Sequence, residues 1–199
     1  NVTMHGLNQW NGVAFASRIP AEDIEIGFSG MPPFGKEGKE AVEEARAIGA
    51  TFNGVRLWSL YVPNGREIGD PHFHYKLEWL DRLASNVAEW VEHEPDQPLA
   101  LMGDFNIAPE DRDVYDPVAW AGQIHCTPEE RAQFQRLLAL GLADAFRLFE
   151  QPPKSWSWWD YRNLAFRKNQ GLRIDHILVS PTLQPRVTAC VIDKLPRKN

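Results

Sequence analysis

The spacing of apolar residues along the chain predicts a fold that contains both strands and helices. Short apolar runs bounded by turn-forming residues indicate strands at 12–17, 46–52, 55–62, 99–105, 155–161, 173–180 and 187–193. The second and third runs are joined by Asn53-Gly54, a pair that favours a type I′ turn, so a hairpin is expected there. The run at 99–105 is apolar at nearly every position, which is typical of a strand covered on both faces.

Two helices are predicted between these strands. Apolar residues recur at spacings of three and four over residues 73–91, which is the period of an amphipathic helix. Asp70-Pro71 supplies an N-cap and a favourable first residue, and the pattern ends near His93. A second helix begins with the capping box at 127–130 and ends at Gly141. Interleaved helices and strands, with one antiparallel pair, predict an α/β fold with two mixed sheets and helices outside.

Composition favours one globular domain over 1–199. The 199 residues are 43% hydrophobic and 24% charged, and no repeat or flexible linker divides them. Two polar segments, at 25–40 and 108–126, are predicted as long surface loops of the kind that carry function. No run is long enough to span a bilayer, no secretory leader is visible, and two cysteines cannot form a disulfide framework. We therefore expect a cytoplasmic protein with no membrane partner.

Charge is distributed unevenly along the chain. The net charge of −6 argues against a nonspecific nucleic-acid coat protein. The window 154–174 departs from this average, because basic and aromatic residues alternate there: Lys154, Trp156, Trp158, Trp159, Tyr161, Arg162, Phe166, Arg167, Lys168 and Arg173. Such a surface can hold a phosphate backbone and stack on bases, although an aromatic strand with solvated charges has the same composition.

The polar residues at the end of the 99–105 run are the strongest candidates for chemistry. In Gly103-Asp-Phe-Asn106, the side chains of Asp104 and Asn106 share one face of the strand, because side chains alternate. Ligand sites of open α/β sheets lie beyond strand ends, and a carboxylate beside a carboxamide can position a water or bind a hard cation. Taken alone, the motif is also compatible with a simple strand-end turn.

Two further strand ends carry polar groups. Asp175 interrupts an apolar strand and is expected to share a face with Arg173, either within a site or as a plain ion pair. A turn over 60–66 brings together Tyr61, Asn64 and Arg66, all of which can donate hydrogen bonds to a phosphate. An ordinary polar turn is the alternative for this second motif.

In this order the motifs resemble the exonuclease III family of DNA-repair nucleases, within the endonuclease/exonuclease/phosphatase superfamily. The resemblance runs from Asn8-Gln-Trp-Asn-Gly-Val-Ala14 onward and rests on Trp58-Ser-Leu-Tyr-Val-Pro-Asn-Gly65, Gly103-Asp-Phe-Asn-Ile-Ala-Pro109, Ser157-Trp-Trp-Asp-Tyr-Arg162 and Arg173-Ile-Asp175. It implies a four-layer α/β sandwich of two mixed sheets flanked by helices. It also implies a monomeric enzyme that uses Mg²⁺ or Mn²⁺ to hydrolyse double-stranded DNA 5′ to abasic sites and at 3′ ends.

The resemblance also implies roles for the residues of the strand ends. Asp104 would hold and deprotonate the attacking water, and Asn106 would orient that water or the phosphate, with both residues contributing to the metal site. Tyr61 would contact the scissile phosphate, Asn64 would help to bind it, and Asp175 would orient a catalytic histidine.

A second set of residues is expected to contact the DNA. Trp158, with Leu172 and Ile174, would line a pocket for a flipped-out abasic sugar. The remaining expected substrate contacts are basic: Arg66, Arg162 and Arg173.

The family pattern includes segments that these 199 residues do not contain. They are a Trp-Asn strand, a strand with a metal-ligating Glu, and a final Ser-Asp-His-Ala-Pro segment with a metal-site Asp and the catalytic His. We therefore expect a core portion, inactive by itself, of a longer active nuclease. His176 is not expected to substitute, because it should point to the strand face opposite Asp175. Two alternatives remain: a phosphodiesterase for another phosphate ester, and an inactive module that binds damaged DNA.

Overall fold

The computed structural model describes residues 1–7, 10–35, 38 and 40–198. Asn8 and Gln9, where the family resemblance begins, lie outside the described residues. The strands are β1 (Val2–Gly6), β2 (Gly12–Ala16), β3 (Glu22–Ile26), β4 (Ala47–Phe52), β5 (Val55–Tyr61), β6 (Leu99–Asp104), β7 (Ala143–Asp144), β8 (Trp158–Trp159), β9 (Gly171–Leu172) and β10 (Asp175–Val179).

A mixed sheet forms the centre of the molecule. Its strand order is β3-β4-β5-β6-β10-β7. β5 and β6 run parallel, and the other neighbouring pairs are antiparallel. The hairpin of β4 and β5 turns at Asn53 and Gly54, whose φ angles of 48° and 75° are those a type I′ turn requires. The predicted hairpin is confirmed.

The helices are α1 (Pro71–His93), α2 (Pro117–Trp120) and α3 (Pro128–Ala139). Asp70 caps the start of α1, because its side chain accepts a hydrogen bond from the main-chain amide of His72 at 2.6 Å, and the predicted capping box of Thr127 and Glu130 starts α3. Both helices pack on one face of the sheet, where the largest apolar cluster lies. Each large side chain buried there contributes about 1.5–3 kcal/mol. Both predicted helices are confirmed.

The opposite face of the sheet is covered by the β1–β2 hairpin. Val13 and Phe15 of β2 pack against Ile48, Ala50 and Phe52 of β4. The expected α/β fold, a mixed sheet flanked by helices, is confirmed. Within the described ranges, the second sheet is the antiparallel pair of β1 and β2, so a four-layer sandwich of two mixed sheets stays a prediction, and β8 pairs separately with β9. None of the described helices has the length and apolar character needed to cross a membrane.

Several strand predictions need correction. The strand predicted at 187–193 is wrong: these residues have no strand pairing, and Val191 is largely exposed. A run rich in apolar residues therefore does not form a strand where no neighbouring strand pairs with it. Of the strand predicted at 155–161, only Trp158–Trp159 is observed as a strand, β8. The sequence prediction also missed β3, which has three acidic residues among its five and whose residues are all exposed at the sheet edge.

Candidate active site

Three strand ends lie side by side in the central sheet. Tyr61, the last residue of β5, is paired in register with Asp104, the last residue of β6. Asp104 is paired in turn with Asp175, the first residue of β10. Residues paired across neighbouring strands point to the same face, so the three side chains form one row. The structure thus brings together three of the residues singled out from separate motifs.

Gly103 allows β5 and β6 to approach closely just before this row. Its φ is 140°, and a Cβ at this position would lie 1.9 Å from the carbonyl oxygen of Leu60. Only glycine avoids that contact. The glycine of the Gly103-Asp104 pair therefore helps to place the carboxylate beside Tyr61.

Asp104 carries an unbalanced negative charge. Burial, followed by repulsion from Asp175, raises the pKa of Asp104 to about 7. Burial also raises the pKa of Asp175. Three groups oppose this rise in the pKa of Asp104. The main-chain amide of Asn106 donates a hydrogen bond to Asp104 Oδ1 at 2.8 Å, and the charges of Lys76 and Arg46 also favour the carboxylate. A carboxyl group that titrates near neutral pH can exchange a proton with a bound water.

Asn106 connects the row to the turn that follows β5. Its Nδ2 donates to the Val62 carbonyl at 2.9 Å and to Asp104 Oδ2 at 3.2 Å. Its Oδ1 accepts a hydrogen bond from Asn64 Nδ2 at 3.2 Å. Because a carbonyl only accepts, the Val62 contact fixes the amide with its nitrogen toward Asp104. Asp104 and Asn106 are therefore neighbours, although β6 ends at Asp104 and Asn106 lies beyond it with a φ of 52°, so the hydrogen bonds and not strand alternation bring them together.

The turn places Asn64 at the row and Arg66 outside it. Asn64 Oδ1 accepts a hydrogen bond from the Arg66 amide at 3.1 Å. The Arg66 guanidinium lies 3.8 Å from the Asp70 carboxylate and 5.7 Å from the centre of the Phe34 ring. It remains exposed and can reach a ligand in solvent.

Arg173 does not belong to the row, which corrects the expectation that it binds substrate. Its side chain is only 2% exposed, and it pairs with Asp113 at 2.6 Å and with Asp144 at 2.8 Å. Residues 173–174 lie between β9 and β10, so strand alternation does not carry the face of Asp175 back to Arg173. The guanidinium is a buried structural cation.

His176 lies on the face opposite Asp175, as predicted. Its ring is buried against Phe105 and Phe134, with centroid distances of 5.6 Å and 4.7 Å. Nε2 donates to the Ile107 carbonyl at 2.8 Å, and Nδ1 accepts from Arg173 at 3.0 Å. Burial holds the pKa of His176 well below its usual value, so the ring is neutral and lies outside the row.

The residues expected to line a sugar pocket share one apolar cluster. Trp158 packs against a group that includes Leu172 and Ile174, but those two side chains are 0% and 3% exposed. Of the three, only Trp158 presents surface to a substrate in this state. Arg162 is 84% exposed and pairs with Asp160 at 2.9 Å in the loop after β8.

Comparison with known proteins matches residues 4–197 to the Endonuclease/Exonuclease/phosphatase family. The chain belongs to that family. It is 32% identical over 195 residues to exodeoxyribonuclease III of Haemophilus influenzae, which covers 94% of this chain and 70% of the relative. The predicted family resemblance is confirmed.

Two solved structures show the same architecture. The 3′ phosphatase NExo from Neisseria, solved with a product DNA hairpin, is 39% identical with a TM-score of 0.84, over 93% of this chain and 68% of that protein. An AP endonuclease from Archaeoglobus fulgidus is 31% identical with a TM-score of 0.87, over 100% of this chain and 73% of that protein.

The nucleases of this family depend on a divalent metal, and part of the row fits such an ion. Asp104 and Asp175 supply hard oxygen donors whose mutual repulsion a cation would relieve. Asn106 does not fit the expectation that it shares a metal with Asp104, because its amide nitrogen faces that carboxylate. In the described part of the chain, no group of three or more His, Cys, Asp or Glu residues could hold a metal. Water or substrate oxygens would have to complete the coordination.

Sequence analysis missed the residue that holds Tyr61. The buried Arg46 donates from Nη1 to the Tyr61 carbonyl at 3.2 Å, and its guanidinium lies 4.9 Å from the centre of the Tyr61 ring. Its Nε pairs with Glu44 at 2.6 Å. An arginine at the start of an apolar run carries no pattern that would have indicated this role.

Sequence analysis also missed the residue that holds Asp175. Ser157 Oγ accepts hydrogen bonds from the main-chain amides of Ile174 and Asp175, both at 3.1 Å. The bonds fix the start of β10 against the segment that leads into β8. Ser157 stands inside a quoted family motif, so its place in that motif was the available indication.

Proposed function

We propose that residues 1–199 belong to a single catalytic domain of a metal-dependent DNA-repair nuclease, which hydrolyses phosphodiester bonds in double-stranded DNA. The observation that carries this proposal is the opposition of Asp104 and Asp175 at adjacent strand ends, with Tyr61 completing the row. Similarity to exodeoxyribonuclease III and to AP endonuclease structures supports the reaction class.

Each residue of the row has a role that its geometry supports. Asp104, whose pKa is raised to about 7, accepts a proton from the attacking water. Asn106 holds the Asp104 carboxylate through Nδ2. The family resemblance implies that Asn106 also orients the water or the phosphate. Tyr61 and Asn64 donate to the phosphate oxygens, on which charge builds up during phosphoryl transfer. The family resemblance, and not a contact in this structure, supplies the role of Asp175, which would orient a histidine that completes the site.

A divalent cation, Mg²⁺ or Mn²⁺, would be held by Asp104 together with Asp175 and would polarise the phosphate. The carboxylates would then be less repulsive toward each other and toward the anionic substrate.

The choice between DNA substrates depends on the surface around Trp158. Its ring can stack on a flipped-out abasic sugar, while Arg162 and the other basic residues of 154–174 hold the backbone. The NExo likeness, at 39% identity, favours 3′-end processing as a second activity of the same site.

The proposed partner is duplex DNA with an abasic site or a 3′ end, bound by a monomer. A cytoplasmic location remains a prediction, which the two free cysteines support.

A substrate panel tests the proposal. The full-length protein that contains this chain is incubated with abasic duplex, recessed 3′ ends and 3′-phosphate ends, in Mg²⁺, Mn²⁺ or EDTA. We expect cleavage of at least one DNA substrate in either metal and none in EDTA. Binding to damaged DNA without cleavage in any metal would identify the inactive binding module instead. Hydrolysis of a non-nucleic-acid phosphate ester alone would identify the other alternative.

The Trp158→Ala variant tests the substrate pocket. We expect abasic-site incision to fall more than binding to undamaged duplex, because backbone contacts do not use the pocket. The matched control is Trp120→Ala, which removes another partly buried tryptophan of the same cluster. Equal losses on both substrates would make Trp158 a packing residue.

A further inference from the structure

Lys76 is a fully buried cation that binds the main chain of two residues next to the row, Asn64 and Asn106. It lies on α1, its side chain is 0% exposed, and its ammonium pairs with the Glu130 carboxylate of α3. The same Nζ donates to the main-chain carbonyls of Asn106 at 2.7 Å and of Asn64 at 3.2 Å. An ammonium has three donor hydrogens, and these three acceptors use all of them.

The backbone that Lys76 binds is strained and belongs to the site. Asn106 has a φ of 52°, in the left-handed region that costs a non-glycine residue energy unless its surroundings impose it. Its carbonyl accepts from both Lys76 Nζ and His125 Nδ1, each at 2.7 Å. Burial lowers the pKa of His125 to about 4, so the ring is neutral and its single proton lies on Nδ1. Two donors from different segments therefore hold Asn106 in this conformation.

Glu130 anchors the cluster to α3. One carboxylate oxygen binds Lys76, and the other accepts from the Thr127 amide at 3.1 Å and from its hydroxyl at 2.9 Å. The capping box that starts α3 is thus the same group that fixes Lys76. Because α1 and α3 both lie on the helix-covered face of the sheet, the packing of these two helices fixes where Lys76 meets the main chain of Asn64 and Asn106.

We propose that Lys76 is a positioning residue for the nuclease reaction. It sets the carbonyls of Asn64 and Asn106, whose side-chain amides bond to each other at 3.2 Å, so that Asn106 Nδ2 meets Asp104. It has no exposed surface and cannot touch DNA. The inference rests on the proposed function for its effect on rate, but the placement of Asn106 can be measured separately.

Lys76→Met in the full-length protein removes the donors and keeps the length of the side chain. We expect kcat on substrate DNA to fall about 10- to 100-fold with KM changed less than about threefold, because misplacement of a reacting group slows the chemical step more than binding. The melting temperature also falls, since Glu130 is left buried and unpaired.

The double variant Lys76→Met/Glu130→Gln separates the effect of Lys76 on the placement of Asn106 from its effect on the stability of the protein. The introduced carboxamide is neutral and its oxygen still accepts from Thr127, so the melting temperature should recover toward that of the unmodified protein while kcat stays low. Recovery of kcat together with the melting temperature would overturn the proposal. Where the single variant fails to fold, the double variant alone decides. The control is Leu83→Ala, another buried residue of α1, which should lower the melting temperature and keep kcat within about threefold.

The side-chain NH₂ resonances of Asn106, assigned by their loss in Asn106→Asp, give a readout independent of cleavage. We expect them to shift in Lys76→Met/Glu130→Gln and to stay in place in Leu83→Ala. Unchanged resonances in the double variant would overturn the proposal. Shifted resonances in a protein that cleaves no DNA would contradict the proposed function and leave the positioning role of Lys76 supported.

Discussion

Two groups of charged side chains meet at the start of β10, and they are built in opposite ways. Arg173 lies between the carboxylates of Asp113 and Asp144, and Arg147 adds a second guanidinium to Asp113. Two residues further along the chain, Asp175 faces Asp104 across the sheet. The first group is deeply buried and balanced in charge, whereas the second lies at the strand ends and has two acids opposed.

The difference indicates which charges stabilise the fold and which are available for chemistry. A buried charge is tolerated when opposite charges and hydrogen-bond partners surround it, as Asp113, Asp144 and His176 do around Arg173. Two opposed carboxylates do not meet each other's hydrogen-bonding needs, and burial together with their repulsion raises the pKa of Asp104 to about 7. Such a pair gains stability from a cation, a proton or a substrate group supplied from outside. The unbalanced group is therefore the reactive one.

The largest expected effect comes from breaking the balanced group. Arg173→Met leaves Asp113 and Asp144 buried with insufficient partners, so the free energy of unfolding should fall by about 3–5 kcal/mol. The measurement is denaturant unfolding of the full-length protein. The control is Arg112→Met, whose surface pair with Glu110 is 60% exposed on the arginine side and should contribute at most about 1 kcal/mol. Similar losses for both arginines would contradict the distinction drawn between the two groups.

Removing one acid of the opposed pair should affect rate instead of folding. Asp104→Asn has nearly the same shape, so the protein should fold, but kcat should fall at least about 100-fold, the scale expected for a lost general base. Binding of DNA should be unchanged or slightly tighter, because the carboxylate repels the phosphate before reaction and the amide does not. Measurement of kcat and Kd across a Mg²⁺ titration checks both expectations.

The outcomes of this substitution separate three roles for Asp104. A rate within about threefold of the unmodified protein would make it a turn residue. Recovery of much of the rate at high Mg²⁺ would make it principally a metal ligand. The control is Asp96→Asn, an exposed carboxylate after α1, which should leave kcat unchanged.

Local patterns predicted the elements whose signals are local. The Asn53-Gly54 turn, the cap at Asp70 and the capping box of α3 each act within a few residues, and all three were found. The row of Tyr61, Asp104 and Asp175 depends on the register of three strands that are distant in sequence. Spacing marked these residues as candidates, and family resemblance indicated that they belong together, but neither supplies a register.

The errors have equally physical causes. The interpretation of Arg173 assumed a continuous strand, whereas the chain breaks between β9 and β10 and turns the guanidinium inward. Lys76 stands among apolar positions of α1, but its partner Glu130 is 54 residues away, and nothing in the helix pattern identifies that partner. Buried polar networks join segments that are close only in the folded chain, so sequence periodicity does not reveal them.

The smallest expected effect is on stability as a function of pH. The pKa of Asp104 is about 7 in the folded protein, above the value of about 3.9 in an unfolded chain, so the folded state favours the neutral acid. The stability contribution of this group is fully present below about pH 4 and is lost as the pH rises through about 7. In metal-free buffer, Asp104→Asn should therefore match the unmodified protein near pH 4 and exceed it at pH 8, by about 1–2 kcal/mol after allowance for solvent screening.

Asp160, whose pKa is shifted in the opposite direction to that of Asp104, provides a control for this pH dependence. The pKa of Asp160 is lowered by its hydrogen bond to Arg162, so its contribution is present at high pH and lost on acidification. The difference between Asp160→Asn and the unmodified protein should accordingly change with pH in the reverse direction. Addition of Mg²⁺ at pH 8 should stabilise the unmodified protein more than Asp104→Asn, because only the former keeps both opposed carboxylates. If thermal melts from pH 4 to 8 show no rising advantage for Asp104→Asn without metal, Asp104 is already balanced in the folded state, and the contrast with Arg173 fails.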